Sequence, residues 1–135
     1  MLWASQVAPG HENGLRLRVY GTRGGLEWVQ AEPNVLLHSP LGVPRQWLTR
    51  GSAAVGPAAA RVTRIPPGHP EGYLEGFANI YTDVATAIRA VDGGHPIPDQ
   101  VDFPGIADGV IGMAFIEAAV KSSAAGAVWV RPDSV

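Results

Sequence analysis

The spacing of apolar residues changes character near residue 72, and this change constrains the fold more than any other feature of the sequence. The clearest pattern before it is the strict alternation of residues 15–20, in which Leu or Val occupies every second position. A Gly-rich connection follows at residues 21–25, and residues 26–30 have the composition of a returning strand. Two strands joined by a short connection that contains Gly predict a β-hairpin.

Less regular strand patterns lie on both sides of this hairpin. Residues 2–7 alternate loosely before it, and two further stretches, residues 34–39 and 45–49, follow it and are separated by turn-forming Pro and Gly. Residues 1–49 are therefore predicted to form an antiparallel meander of strands.

After residue 72 the spacing becomes helical. Between residues 73 and 91 the apolar positions fall on one helical face, and Gly93 and Gly94 suit the end of a helix. A second helix is predicted over residues 106–124, and its apolar residues lie on two faces, which is typical of a helix buried between layers. Residues 127–130 are predicted to form a last short strand.

The segment between the two patterns, residues 50–72, is rich in Gly, Pro and Ala and is predicted to be a long loop. Strands followed by helices favour an α+β fold, with an open, mostly antiparallel sheet layered with helices. The chain is thus predicted to form one domain over residues 1–135. It consists of the meander, the loop, and a part with two helices and a terminal strand at residues 73–130.

Composition and charge narrow the possible partners. The net charge of -2 argues against nucleic acid, which requires a basic surface. No apolar run is long enough to span a membrane, and the absence of Cys removes disulfides and thiolate chemistry, which suits the cytoplasm. Charged residues make up 16% of the chain, against about 25% in typical soluble domains. Either a partner covers part of the surface, or the chain comes from a proteome rich in Ala and Gly.

None of the Gly-rich stretches has the pattern of a nucleotide site. Residues 21–25 lack the Gly-x-Gly-x-x-Gly spacing and lead into a strand rather than a helix. Gly51 and Gly56 have the separation of a P-loop, but Pro57 stands where Lys is needed. The chain is therefore predicted to lack a Rossmann domain and to carry no cofactor-binding residue.

His69 is the most informative polar residue. Pro and Gly fix the backbone around it, and Pro70 suits the first turn of the helix that follows. Here His69 binds a polyol hydroxyl or moves a proton, or else it caps the helix or binds a backbone carbonyl. His11, in a second polar turn, faces either a ligand or solvent. His69, Glu71 and Glu75 could together bind a metal, but carboxylates in a first helical turn ordinarily complement the helix dipole, and no metal site is predicted.

Three stretches of the chain resemble one known family: residues 15–28 (LRLRVYGTRGGLEW), 68–81 (GHPEGYLEGFANIY) and 108–118 (DGVIGMAFIEA). They are similar to the C-terminal part of the glucose-fructose oxidoreductase, inositol dehydrogenase and rhizopine catabolism (Gfo/Idh/MocA) family, nearly end to end. The resemblance implies an N-terminal Rossmann domain that binds NAD or NADP. It also implies a C-terminal α+β domain whose open sheet covers the active site and builds oligomers, and hydride transfer on sugars or polyols.

Several parts of the family pattern are missing. The cofactor loop, the catalytic lysine, and the acid and histidine that open the substrate domain have no counterpart here, so no catalytic residue is assigned. The resemblance implies that the loop holding His69, followed by Tyr73, lies near the substrate pocket. It also implies that the strand around Gln6 leads into a loop near that pocket. Because early strands are missing as well, the sheet is expected to be incomplete and to expose an edge through which the chain self-associates.

The function expected from the resemblance is that of a C-terminal fragment of an NAD(P)-dependent oxidoreductase acting on a sugar or polyol. Such a fragment supplies part of the substrate pocket and the oligomer interface, and it is inactive without a separate N-terminal Rossmann segment. The alternative is a non-catalytic oligomerisation or carbohydrate-binding module. A third interpretation is an unrelated α+β binding domain.

Overall fold

The computed structural model describes residues 1–132, and in these residues four strands precede three helices. The strands are β1 (Arg16–Gly21), β2 (Gly24–Val29), β3 (Val35–Pro40) and β4 (Gln46–Thr49). The helices are α1 (Pro57–Arg61), α2 (Tyr73–Asp92) and α3 (Ile106–Ala124). This order confirms the predicted α+β class with an open antiparallel sheet.

Each strand of the sheet pairs with its neighbour in the sequence, in the order β1-β2-β3-β4, so that β1 and β4 are the edges. Residues directly opposite one another in an antiparallel pair lie on the same face of the sheet. One face is therefore lined mainly by hydrophobic side chains, and we call it the apolar face. Its residues are Leu17, Val19, Leu26, Trp28, Leu36 and Leu48.

The opposite face of the first hairpin carries charge. Glu27 of β2 lies directly opposite Arg18 of β1, and its carboxylate is 3.3 Å from Nε of Arg16 and 3.9 Å from Nε of Arg18. All of β1 is exposed to solvent. The alternation in the sequence thus separates an apolar side from a charged side, as predicted.

The tight hairpin depends on two glycines. Gly24 has φ of +155°, and a Cβ at this position would lie only 2.6 Å from the carbonyl oxygen of Ser39 in the neighbouring strand. At Gly25 a Cβ would lie 2.8 Å from the ring of Tyr20, which is the cross-strand partner of Gly25. A side chain at Gly24 would push β2 and β3 apart, and one at Gly25 would displace the exposed ring of Tyr20, because nonbonded heavy atoms do not approach within 3 Å.

Both long helices begin in the same way. The amide of Gly72 donates to Oε2 of Glu75 at 2.9 Å at the start of α2, and the amide of Gly105 donates to Oδ2 of Asp108 at 2.8 Å at the start of α3. The acidic side chains occupy backbone N–H groups that the helix itself leaves unpaired. At the other end of α2, Gly94 turns the chain away with φ of +70°, as the Gly pair in the sequence predicts.

Two of the predicted strands are absent from residues 1–132. Residues 2–7 and 127–130 have no strand pairing, although their composition favours strands. A strand is stabilised only by a neighbour, and none of the described residues provides one. After α3 the chain instead turns at Ala127, which has φ of +63°, and the hydroxyl of Ser122 donates to the carbonyl of Val128. The predicted loop at residues 50–72 is also interrupted, by the short helix α1.

The helices are much more exposed than their composition predicts. α3 was expected to be buried between layers, but Ala118 is its one buried residue among those described, and Ile111 remains 68% exposed. Within residues 1–132, Ala87 and Ala118 are the only buried hydrophobic residues. The prediction fails because no second layer covers the outer faces of these helices in the described chain. None of the helices in residues 1–132 is long and apolar enough to cross a membrane.

Candidate functional site

The segment that leads into α2 has an unusual hydrogen-bonding requirement. Residues 65–70 read Ile-Pro-Pro-Gly-His-Pro, and the three prolines have no N–H group to donate. Every residue still has a carbonyl oxygen, so the segment has more acceptors than donors. Because unpaired backbone carbonyls are costly wherever water is excluded, such a segment needs donors from elsewhere in the chain.

Arg50, immediately after β4, supplies these donors. Its Nη1 donates to the carbonyl of Ile65 at 2.6 Å, and its Nη2 donates to the carbonyl of His69 at 2.6 Å and to that of Pro66 at 3.4 Å. Arg has five N–H groups and no acceptor, so it suits a segment in which acceptors are in excess. The backbone of the segment is therefore wrapped around one guanidinium group.

Two other side chains complete this arrangement, which we call the Arg50 clasp: Arg50, Asn34 and Glu71. Oδ1 of Asn34 accepts from Nε of Arg50 at 2.6 Å and from the amide of Glu71 at 3.3 Å. Oε2 of Glu71 lies 2.6 Å from Nη1 of Arg50. The guanidinium thus makes five contacts, as many as it has N–H groups. The side chains of Arg50 and Glu71 are 17% and 4% exposed, so the ion pair is largely shielded from water.

The sequence predicts that Glu71 is an exposed carboxylate in a first helical turn, and this prediction is wrong. It is buried, and its carboxylate also accepts from the amides of Arg64 at 2.8 Å and Ile65 at 3.2 Å. The carboxylate is therefore fully used inside the chain. Across residues 1–132, no three side chains of the metal-binding types converge on one point.

His69 itself is held through its backbone and not through its side chain. Its amide donates to the carbonyl of Pro66 at 3.3 Å, its carbonyl accepts from Arg50, and its imidazole is exposed without a hydrogen-bond partner in the described chain. The imidazole consequently does not cap α2, since Glu75 does so. The backbone N–H of Gly72 also lowers the pKa of the Glu75 carboxyl by donating to it.

Tyr73 is the first residue of α2 and lies four residues from His69. Its ring contacts that of Phe77 at a centroid distance of 4.9 Å, and the side chain of Tyr73 is exposed. Tyr73 and His69 therefore lie on the same short stretch at the start of α2. A role for these two residues in binding a substrate stays a prediction.

Gln6 and His11 lie apart from this stretch in the hydrogen-bond network. Both are exposed residues of the N-terminal segment that precedes β1, and His11 occupies a turn closed by its amide and the carbonyl of Ala8 at 3.0 Å. No hydrogen bond or ion pair within residues 1–132 connects either of them with His69 or Tyr73. The strand expected around Gln6 is not formed. A role for these two residues in binding stays a prediction.

A second set of contacts joins α1 and the residues just after it to α2. Arg61 at the end of α1 binds both carboxylate oxygens of Asp83, at 2.8 and 3.2 Å. These bonds lower the pKa of Asp83, against the opposing effect of its burial, and raise that of Arg61. Arg64 donates to Oδ1 of Asn79 and to the hydroxyl of Thr82, each at 2.6 Å. α2 is thus attached to the loop by Arg side chains.

A cavity of about 420 Å³ lies where the loop crosses the apolar face. The strands contribute Trp28, Leu36 and Leu48, and the residues on either side of α1 contribute Val55 and Val62. Its lining is mostly apolar. None of the four predicted binding residues lines this cavity, but Asn34 and Arg50 of the clasp do.

The described residues do not fit a dinucleotide. A pyrophosphate group is ordinarily bound by free N–H groups at a helix N-terminus that follows a Gly-rich loop. In both long helices a carboxylate, from Glu75 or Asp108, already occupies an N-terminal amide, and its negative charge opposes that of a phosphate. The Gly-rich residues 21–25 form a hairpin between two strands, as the sequence predicts.

Comparison with known proteins identifies the family. Residues 1–131 match the family described as the oxidoreductase family, C-terminal alpha/beta domain, that is, the Gfo/Idh/MocA C-terminal domain. The chain belongs to this family. The resemblance of the hairpin and of the segment around His69 to Gfo/Idh/MocA proteins is thereby confirmed.

The chain spans about a third of the length of the relatives that follow. An uncharacterized oxidoreductase of Bacillus subtilis is 34% identical over 131 residues, which are 96% of this chain and 33% of that protein. A crystal structure of an oxidoreductase from Sinorhizobium meliloti has 57% identity and a TM-score of 0.84, over 94% of this chain and 35% of the other. An inositol dehydrogenase homologue from Azotobacter vinelandii, solved with NADH and myo-inositol, has 38% identity and a TM-score of 0.82, over 95% and 34%.

The sequence did not point to Arg50 and Asn34, which lie outside the three stretches that resemble Gfo/Idh/MocA proteins. Glu71 lies within one of these stretches, but the sequence indicated only a carboxylate at the start of a helix and not a partner for Arg50. One signal was present in the sequence. A segment with three prolines has an excess of carbonyl groups, and Arg, with five N–H groups, is the side chain best suited to bind them.

Proposed function

We propose that this chain is the substrate-framing C-terminal segment of an NAD(P)-dependent oxidoreductase that acts on a sugar or polyol. It acts together with a dinucleotide-binding part, which contributes the cofactor and the catalytic groups for hydride transfer. We expect the assembled enzyme in the cytoplasm, because the chain contains no Cys.

The observation that carries this proposal is the surface area of the chain. The accessible surface is 11175 Å², whereas a compact monomer of 14.2 kDa has about 6,800 Å². The excess of roughly 4,400 Å² is larger than the total area of a standard protein-protein interface, which is about 1,600 Å². Large apolar side chains, including Ile106 and Trp129, make up much of this exposed surface. Such a surface is typical of a part that packs against another part.

The substrate class is supported by a relative rather than by this chain alone. The Azotobacter vinelandii homologue was solved with NADH and myo-inositol, and this chain matches a third of that protein. In this chain, the rigidly held His69 and the neighbouring Tyr73 present an imidazole and a phenol on one exposed stretch. Both groups can exchange hydrogen bonds with hydroxyl groups, which are the recognition groups of a polyol.

The test is reconstitution. The two thirds of the Sinorhizobium meliloti oxidoreductase that this chain does not match would be purified and mixed with the chain. We expect a 1:1 complex by size-exclusion chromatography with light scattering, and NADH or NADPH formation from myo-inositol or a related polyol by the mixture only. Turnover by the chain alone, or the absence of any complex, would contradict the proposal.

A second candidate is a non-catalytic oligomerisation or carbohydrate-binding module, and the open edges of the sheet favour it. Within residues 1–132, β1 and β4 both have an unpaired side, and exposed edges bind other strands. This candidate requires self-association of the chain through its sheet, and stabilisation by a polyol but not by NAD or NADP. Ligand at about 100 times its Kd stabilises the native state by about 2.7 kcal/mol, which a thermal-shift measurement detects. A monomer in light scattering at high protein concentration would exclude it.

A further inference from the structure

We propose that Arg50 is a positioning residue for His69: the clasp fixes the backbone of residues 65–69 so that the imidazole is presented in one place. This proposal rests on the proposed function in one respect, namely that the group so presented binds a polyol. The positioning itself is a property of the chain and does not depend on that function.

The contacts of Arg50 end on the backbone of His69. The carbonyl of His69 accepts from Nη2 of Arg50 at 2.6 Å, and the amide of His69 donates to the carbonyl of Pro66. Pro66 in turn accepts from the same guanidinium. Both backbone polar groups on the two sides of the His69 Cα are therefore fixed, which leaves the imidazole with only its own side-chain rotations.

The clasp connects residues 65–69 to the sheet and not only to α2. Arg50 follows β4 directly, and its amide donates to the carbonyl of Asn34, just before β3, at 2.9 Å. The side chains of the same two residues are joined at 2.6 Å. A side chain that is fixed by the ends of two paired strands inherits the rigidity of the sheet. His69 is therefore positioned relative to the sheet.

The set of acceptors in the clasp requires Arg at position 50. Three backbone carbonyls, an amide oxygen and a carboxylate surround the group, and a planar fork with five N–H groups can satisfy all of them. A Lys ammonium has three donors at a single point and cannot reach this set. The negative charge of Glu71 balances that of Arg50, which permits the partial burial of both.

A purely structural role for Arg50 has to be distinguished from positioning. Arg50→Lys is the main variant, and Arg61→Lys is the matched control, because Arg61 also anchors the loop but contacts Asp83 of α2 and not residues 65–69. Asn34→Ala is a milder second variant, since it removes the contact of Nε and leaves those of Nη1 and Nη2. His69→Ala removes the imidazole.

The first readout is the order parameter of the His69 amide from NMR relaxation on the 135-residue chain. We expect a rigid value of about 0.85 in the wild type, a fall toward 0.6 or below in Arg50→Lys, a smaller fall in Asn34→Ala, and no change in Arg61→Lys. If His69 stays rigid in both Arg50→Lys and Asn34→Ala, the positioning role is overturned, whatever the chain binds.

The second readout is the Kd for myo-inositol, measured with the chain and with the reconstituted complex. We expect Arg50→Lys and His69→Ala each to weaken binding about tenfold, which corresponds to one lost hydrogen bond, and the double variant to bind no more weakly than either single variant. Additive losses would show that Arg50 does not act through His69. If the order parameter falls as expected but no polyol binds in either preparation, the proposed function fails while the positioning by Arg50 stands.

Discussion

Among single residues, Glu71 has the most demanding surroundings, because its buried carboxylate faces a guanidinium and two backbone amides. We expect Glu71→Gln to lower the free energy of unfolding by about 3 kcal/mol, since removal of one partner of a buried ion pair leaves the other charge uncompensated. Glu27→Gln is the matched control, because Glu27 pairs with exposed arginines and is expected to cost less than about 1 kcal/mol. Urea denaturation of both variants measures the difference, and equal losses would contradict the role of burial.

Asp83 gives the stability of the chain a dependence on pH. The hydrogen bonds from Arg61 lower its pKa, and the folded state therefore binds its proton less tightly than the unfolded chain does. The resulting stabilisation is fully present above the ordinary Asp pKa of about 3.9 and is lost as the pH falls through the lowered value. We expect Asp83→Asn to lower Tm at neutral pH and to flatten the acid side of the Tm-against-pH curve. An unchanged acid side would exclude Asp83 as a main source of that dependence.

At the same scale, the sequence could indicate His69 and Tyr73 but not the residues that hold them. His69 stands in a segment whose Pro and Gly content can be read directly, and the family resemblance adds weight to it. The partners Arg50 and Asn34 lie 19 and 35 residues away along the chain. Their contacts depend on the pairing that places the start of β3 beside the end of β4, and local sequence patterns do not specify this pairing.

Among the elements, the hairpin and α2 contain glycines with opposite requirements. We expect Gly24→Ala to destabilise the chain by about 1–3 kcal/mol, because the new Cβ would meet the Ser39 carbonyl at 2.6 Å. Gly76→Ala should instead stabilise it by about 0.5–1 kcal/mol, because Gly76 lies inside α2 with open space around its Cβ. Thermal unfolding of the two variants gives the signs. A neutral Gly24→Ala would mean that the strands can separate locally at no cost.

The elements also show where sequence patterns are sufficient. The hairpin and the two long helices were predicted nearly to the residue, because alternation, helical spacing and Gly at the turns are local and consistent with one another. Residues 2–7 and 127–130 have strand composition without strand structure, because a short strand forms only beside a partner. α1, at residues 57–61, was missed because one turn of Pro and Ala has no apolar face to recognise.

For the whole molecule, the small core has a calorimetric consequence. A compact domain of 135 residues unfolds with a heat-capacity change of about 1.6–2.0 kcal/mol/K, most of which reflects newly exposed apolar surface. Because Ala87 and Ala118 are the only buried hydrophobic residues in the described chain, we expect a clearly smaller value. Scanning calorimetry of the chain and of the reconstituted complex measures this, and the value should rise when the partner covers the helices. A full-sized heat-capacity change for the chain alone would contradict the proposed dependence on a partner.

The two arginines of β1 also restrict the registers in which its open edge can pair with another strand. In an antiparallel pairing of β1 with β1 of a second copy, with like faces together, the registers centred on residues 16–18 place one arginine opposite another, whereas the register centred on Val19 places Arg18 opposite Tyr20. Like charges directly opposite each other destabilise a strand pair, and Glu27 offers only one carboxylate to the two cations. A foreign strand with an acidic residue at this position meets no such repulsion. The arginines thus disfavour the registers of self-pairing centred on residues 16–18 and leave those centred on Val19 or beyond, and the edge is less restricted toward a strand of a different chain.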